Sequence, residues 1–222
     1  MTYTGDVAPG GPADTREAGD LLITKVAVDP EMSNNCYLLR CVSTGDQVLI
    51  DAAAEPSTLL PLIGEAGLTH VVTTHQHWDH HRALADVVAA TGADVVAGAP
   101  DAEAITEQTG VAVTRSVEDG DTIPVGSCSL RVIRLTGHTP GSIALVFDDG
   151  SGQPHLFTGD SLFPGGPGRT TNPEDFGTLM DDLEAKVFAE LPDGTWVYPG
   201  HGNDSTLGAE RPQLGEWRAR GW

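Results

Sequence analysis

Three histidines and an aspartate fall within six residues, at His75, His77, Asp79 and His80, just after the apolar pair Val71 and Val72. Imidazole and carboxylate donors suit zinc and other borderline first-row ions. The one-residue gap lets His75 and His77 converge on one ion. Asp79 and His80, further along, point elsewhere and can serve a second. A closed structural zinc site normally uses cysteines. This cluster has none, so an open, catalytic site is expected.

Three more residues stand in comparable places. His138, in Gly137-His138-Thr139-Pro140-Gly141, follows the alternating run 129–135. Asp160 follows the run 155–158, and His201, between Gly200 and Gly202, follows 195–198. Four strand-end loops could thus converge on one sheet edge. Seven side chains suffice for two ions with one carboxylate between them. His81 reads as a helix residue beside the site, and His70 and His155 as strand-start residues of the surface or core.

The elements that must position these loops are legible in the hydrophobic pattern. Runs at 21–28, 35–41 and 47–51 read as strands joined by short turns, followed by a helix over 57–66. Strands at 70–74 and 94–97 alternate with helices at 80–90 and 101–109, and 111–114 reads as a short strand. The second half brings strands at 129–135, 142–147, 155–158 and 195–198. Leu179, Leu183, Val187 and Leu191 mark one face of a helix over 178–191, with Asn172 or Thr178 as its cap. Residues 206–222 read as a short helix or wrapped coil. The sum is an α+β domain with two sheets and outer helices over 20–222, preceded by a flexible leader at 1–19.

Composition narrows the partners. The net charge is −20, with 12 basic against 32 acidic residues, and the only lysines are Lys25 and Lys186. Such a surface repels phosphate backbones and anionic membranes, so no nucleic-acid and no membrane partner is expected. No apolar run approaches the roughly 20 residues that span a bilayer. The first twenty residues lack the features of a signal peptide. Cys36, Cys41 and Cys128 lack metal-site spacing and read as free thiols of a reducing cytoplasm.

The pattern His75, His77, Asp79, His80, followed by His138, Asp160 and His201, resembles the metallo-β-lactamase-fold hydrolases. The contexts Gly-His-Thr-Pro-Gly-Ser at 137–142, Thr-Gly-Asp-Ser-Leu-Phe at 158–163 and Pro-Gly-His-Gly at 199–202 look most like the glyoxalase II (hydroxyacylglutathione hydrolase) branch. The resemblance implies an αββα four-layer sandwich with metals at the sheet edges. It puts His75, His77 and His138 on one metal and Asp79, His80 and His201 on the other, with Asp160 bridging. It makes Asp51 the acidic residue below the site, which orients ligating histidines.

The implied cofactors are two divalent metal ions, zinc first, with iron or manganese as alternatives. The implied reaction is hydrolysis, by hydroxide attack on a carbonyl, with Asp79 orienting the nucleophile or taking its proton. These motifs contain no additional general acid, which favours a thioester, whose thiolate leaves readily. Arg169 falls where the glyoxalase II pattern has a cation for the thiol's carboxylate, suiting an anionic small-molecule substrate. Two features depart from glutathione-specific enzymes: about twenty residues follow His201, and Asn203 stands where they have a tyrosine. The thiol carrier is therefore open, mycothiol included. Persulfide dioxygenases, with one iron on two histidines and an aspartate, and lactonases share the fold and are the alternatives.

Overall fold

The computed structural model describes residues 2–221. Its strands are β1 (Asp14–Ala18), β2 (Leu21–Val28), β3 (Asn34–Cys41), β4 (Gln47–Ile50), β5 (His70–Thr73), β6 (Asp94–Gly98), β7 (Arg115–Val117), β8 (Thr122–Val125), β9 (Cys128–Arg134), β10 (Ile143–Phe147), β11 (His155–Gly159), β12 (Leu162–Phe163), β13 (Gly166–Pro167), β14 (Trp196–Pro199) and β15 (Ser205–Thr206). The helices are α1 (Pro56–Ile63), α2 (Leu84–Thr91), α3 (Ala102–Thr109), α4 (Pro173–Asp182), α5 (Leu207–Glu210) and α6 (Leu214–Arg220).

The first seven strands form one sheet in sequence order, antiparallel up to β4 and parallel from β4 to β7. A second sheet runs β15-β14-β11-β10-β9-β8, and β12 pairs with β13 apart from both. Because successive strand side chains face opposite ways, each strand feeds two cores. Val48, Ile50, Val72 and Val96 meet Val132, Leu145, Phe157 and Tyr198 between the sheets. Leu49, Val71 and Val95 point outward against Leu59, Ile63, Leu84, Val87 and Ile105 of α1 to α3. Ile133, Val146, Leu156 and Val197 point the other way, onto Leu179, Leu183, Val187 and Trp217. Three apolar cores between four layers make the αββα sandwich that the resemblance implies.

Four local expectations need correction. Residues 14–18, placed in a flexible leader, form the edge strand β1 against β2. Asp14 Oδ2 accepts from the Thr4 and Gly5 N–H groups, and the Tyr3 hydroxyl donates to Asp204, so the preceding residues are tied down too. The strand expected at 111–114 lies at 115–117 instead. The N–H groups of Val111 and Val113 donate to Thr109 Oγ1 and Thr106 Oγ1 of α3 rather than to β6.

The helix expected at 80–90 begins at Leu84, after a single tight turn over Trp78–His80. The intervening Arg82 and Ala83 N–H groups are held by the Ala53 and Ala52 carbonyls. The helix expected at 178–191 begins at Pro173, behind an Asn172 cap whose side chain accepts from the Asp175 N–H at 2.9 Å. Proline fits the first helical position, where its missing N–H has no partner to lose. Beyond Asp182 the helix widens over Leu183–Phe188, closed by the Ala189 N–H to the Glu184 carbonyl.

Candidate metal centre

Every residue singled out for metal chemistry lies on one edge of the sandwich, just past a strand end. Asp51 follows β4, His75 and His77 follow β5, and His138 follows β9. Asp160 follows β11, and His201 follows β14. The parallel pairs β4/β5 and β11/β14 bring their C-terminal ends to the same side. The Asn35 N–H to Gly200 carbonyl bond, 2.7 Å, ties the two sheets together there. A Cβ at Gly200 would overlap Asp160 Oδ1, so only glycine lets the chain pass this close to the site.

The structure brings all seven side chains together. In each of three groups, His75/His77/His138, Asp79/His80/His201 and His75/His80/Asp160, one donor atom per residue lies within 4.8 Å of the others. His75 Nε2 is 3.1 Å from His77 Nδ1 and 3.3 Å from His138 Nε2. His201 Nε2 stands 3.2 Å from His80 Nε2 and 3.3 Å from Asp79 Oδ2. Asp160 lies between the groups, with Oδ1 3.3 Å from His80 Nε2 and Oδ2 3.7 Å from His138 Nε2.

The outer nitrogens explain why the inner ones face each other. His80 Nδ1 donates to Asp51 Oδ2 at 2.8 Å, His138 Nδ1 to the Arg169 carbonyl at 2.6 Å, and His201 Nδ1 to the Met32 carbonyl at 2.9 Å. A neutral imidazole that donates through one nitrogen presents a bare lone pair on the other. Several lone pairs at about 3.2 Å from one another repel unless a cation sits among them. Asp160 Oδ1 points the same way, buried without a hydrogen-bond donor. The donor set therefore fits two divalent ions.

The electrostatics agree. Burial opposes charge on His80, but Asp160 and Asp51 outweigh it and hold its pKa well above the imidazole range, so Nε2 keeps a proton that a bound ion would displace. Burial alone would raise the Asp160 carboxyl. The charge on His80, 3.3 Å away, and the imidazole of His201, 3.5 Å away, hold it well below the carboxylate range. His75, buried beside His80, is pushed well down and stays neutral, as a ligand must. The centre as a whole calls for positive charge.

Asp51 is not a helix cap. Its carboxylate accepts from the Thr74 N–H (2.7 Å) and Thr74 Oγ1 (2.8 Å) as well as from His80. It holds a left-handed backbone, φ 58°, where few residues other than glycine are at ease. Arg169 is exposed on the rim, its side chain free of ion pairs among the described residues. It lines a groove of about 400 Å³ with His77, His138, Thr170 and Thr171. It also lines a neighbouring one with Phe176 and Arg220. His81 bonds the Gln76 carbonyl, His155 is buried against the Tyr198 hydroxyl, and His70, half-buried at the start of β5, has its ring against Thr69 Oγ1. None of the three joins the centre.

Sequence reasoning missed two supports. Asp101 is fully buried and accepts from the Gln76 N–H (2.9 Å), Thr139 Oγ1 (2.6 Å) and the Gly141 N–H (2.7 Å). It thereby clamps the loop of His75 and His77 to the loop of His138. Nothing in its local sequence distinguishes it from a helix-start aspartate. Asn34 Nδ2 lies 3.0 Å from Asp79 Oδ2 and 3.3 Å from His201 Nε2. The polar pair Asn34-Asn35 opening an otherwise apolar strand was its one signal.

A family model of the metallo-beta-lactamase superfamily matches residues 29–201. The chain belongs to that superfamily. It is similar to the hydroxyacylglutathione hydrolase of Rhodospirillum rubrum, 35% identical over 173 residues, 76% of this chain and 62% of that protein. It is equally similar to the hydroxyacylglutathione hydrolase of Polaromonas sp., 35% identical over 183 residues, 82% of this chain and 66% of that protein. The chain thus spans just under two thirds of the length of these relatives. Among solved structures, ETHE1 from Myxococcus xanthus superposes with a TM-score of 0.75 at 31% identity, covering 89% of this chain and 84% of that one.

Proposed function

We propose that this chain is a dinuclear-metal hydrolase that cleaves thioesters of an anionic small thiol, in the manner of glyoxalase II. The observation that carries the reading is the convergence of seven nitrogen and oxygen donors in two trios, with the Asp160 carboxylate between them. In this reading His75, His77 and His138 would hold one ion, and Asp79, His80 and His201 would hold the other. Asp160, placed between the two trios, would be the carboxylate available to both. Divalent ions so held, zinc foremost by donor type and iron or manganese by the same donors, would acidify water and polarise a carbonyl.

The chain's own residues divide the remaining work. Asp79, steadied by Asn34 and His201, takes the proton of the attacking water. Asp51 keeps His80 in the tautomer that presents Nε2 inward. The groove beside His77 and His138 is walled by Arg169, Thr170 and Thr171, none of which is an acid able to protonate a leaving amine. A thiolate needs no such help. Arg169, with Arg220 across the adjoining groove, offers cationic partners to a carboxylate-bearing thiol.

Thioesters of glutathione, mycothiol and coenzyme A with a common acyl group, each assayed for thiol release on metal-quantified protein, test the reading. Turnover of at least one, with the thiol dictating KM, is expected. No thiol release from any of the three, at two metal ions per chain, would overturn it.

A further inference from the structure

A second donor cluster lies at the opposite edge of the sandwich. The strand β3 runs from Asn34, which touches the histidine centre, to Cys41, roughly 23 Å away at strand spacing. The strand β9 runs the other way, from Cys128 towards His138. At this far edge Asp20, Cys41 and Cys128 place one carboxylate and two thiol donors within 4.8 Å of one another. Ser43 and Ser127, in the turns beside the cysteines, complete the cluster.

The contacts there outnumber the hydrogens available to make them. Asp20 Oδ2 lies 2.6 Å from Ser43 Oγ and 3.0 Å from Ser127 Oγ, and the two hydroxyls are 2.8 Å apart. Cys41 Sγ lies 3.3 Å from Ser43 Oγ, 3.2 Å from Ser127 Oγ and 3.8 Å from Asp20 Oδ2. Four electronegative atoms thus make six contacts, with a hydrogen on only the two hydroxyls and the thiol. The remaining contacts set lone pair against lone pair, and a cation relieves that as it does at the histidine centre. Cys128 Sγ borders the same group, 3.7 Å from the Asp20 carbonyl oxygen, so a second thiol faces these atoms.

We infer that Asp20, Cys41 and Cys128, with a Ser43 or Ser127 hydroxyl or water as fourth ligand, form a second site for a thiophilic divalent ion of the zinc and cadmium class. Its ligands come from the β1–β2 turn, the end of β3 and the start of β9, so a bound ion would staple the two sheets at the edge away from the histidine centre.

The two sites differ in one optically decisive respect, because the histidine centre has no sulfur. Cadmium titrated into the reduced protein of residues 1–222 should give thiolate-to-cadmium charge-transfer absorbance in the ultraviolet. That absorbance should reach the amplitude of one two-thiolate site per chain, however much cadmium the histidine centre takes up silently, and be lost in Cys41→Ser and in Cys128→Ser. It should persist in Cys36→Ser, since Cys36 is buried elsewhere in β3. Asp20→Asn keeps both thiols and should shift the titration to higher cadmium. Circular dichroism of each variant identifies any that fails to fold. Absence of the charge-transfer band in folded wild-type protein would overturn the inference, as would a band unchanged in both Cys41→Ser and Cys128→Ser.

Discussion

His80 Nδ1 and Asp51 Oδ2 lie 2.8 Å apart, both side chains shut away from solvent, across 29 residues of sequence. This one bond decides which nitrogen of His80 faces the proposed metal centre. Asp51 is itself fixed by two bonds from Thr74, the residue before His75. The carboxylate thus couples the orientations of ligands in both trios. Replacing Asp51 by alanine should leave a folded protein with metal affinity reduced about 10- to 100-fold, the usual cost of losing such a partner. Competitive titration against a chelator measures it, and unchanged affinity would remove Asp51 from the account.

Asp160 is the carboxylate that both trios approach. Asp160→Ala should lose at least one metal ion per chain and nearly all hydrolysis. The scaffold should hold, because Asp160 Oδ1 has no protein hydrogen bond to lose. Metal content by mass spectrometry, with a thermal melt alongside, checks both halves of that statement. Full activity in this variant would refute a bridged centre.

Asp101 makes a different prediction because it touches no proposed ligand. Its removal strands the Gln76 and Gly141 N–H groups in the interior. A lost buried network of this kind costs about 2–4 kcal/mol. Asp101→Ala should therefore lower the urea midpoint clearly. Its residual activity should respond to added metal, since the loops of His75 and His138 are no longer clamped together. A midpoint equal to wild type would show that water replaces the carboxylate without loss.

Arg169 bears on substrate and not on fold. Its side chain is exposed on the groove rim, while only its backbone carbonyl serves His138. Arg169→Ala should raise KM for a carboxylate-bearing thioester about tenfold, with kcat and metal content little changed, as loss of uniform binding requires. Steady-state kinetics on charged and neutral thiols separate this from a structural effect: the neutral thioester should be indifferent to the substitution.

The legible part of this molecule was the part in which chemistry and local pattern coincide. His75 to His80, His138, Asp160 and His201 each end a strong strand signal, so residue type and place could be read together. Asp51 was legible for the same reason. Asp101 and Asn34 were not, because their partners lie 25 to 167 residues away and their own surroundings look ordinary. The register of β7 was lost to two threonine hydroxyls of α3 that claim the N–H groups of Val111 and Val113. Residues 14–18 read as a polar leader because an edge strand buries little: only Ala18 of the five is fully covered. The cysteines looked unrelated in sequence, and only the closing of one sheet over the other sets Cys41 near Cys128.

Stoichiometric metal titration of the apoprotein, followed by thiol release from a thioester substrate, tests the central claim most directly. The Cys41→Ser/Cys128→Ser variant is used so that only the histidine centre is counted. Hydrolysis should rise with added zinc or manganese and reach its plateau at two ions per chain. A plateau at one iron per chain, with oxygen consumed on a persulfide and no thioester cleaved, would contradict it.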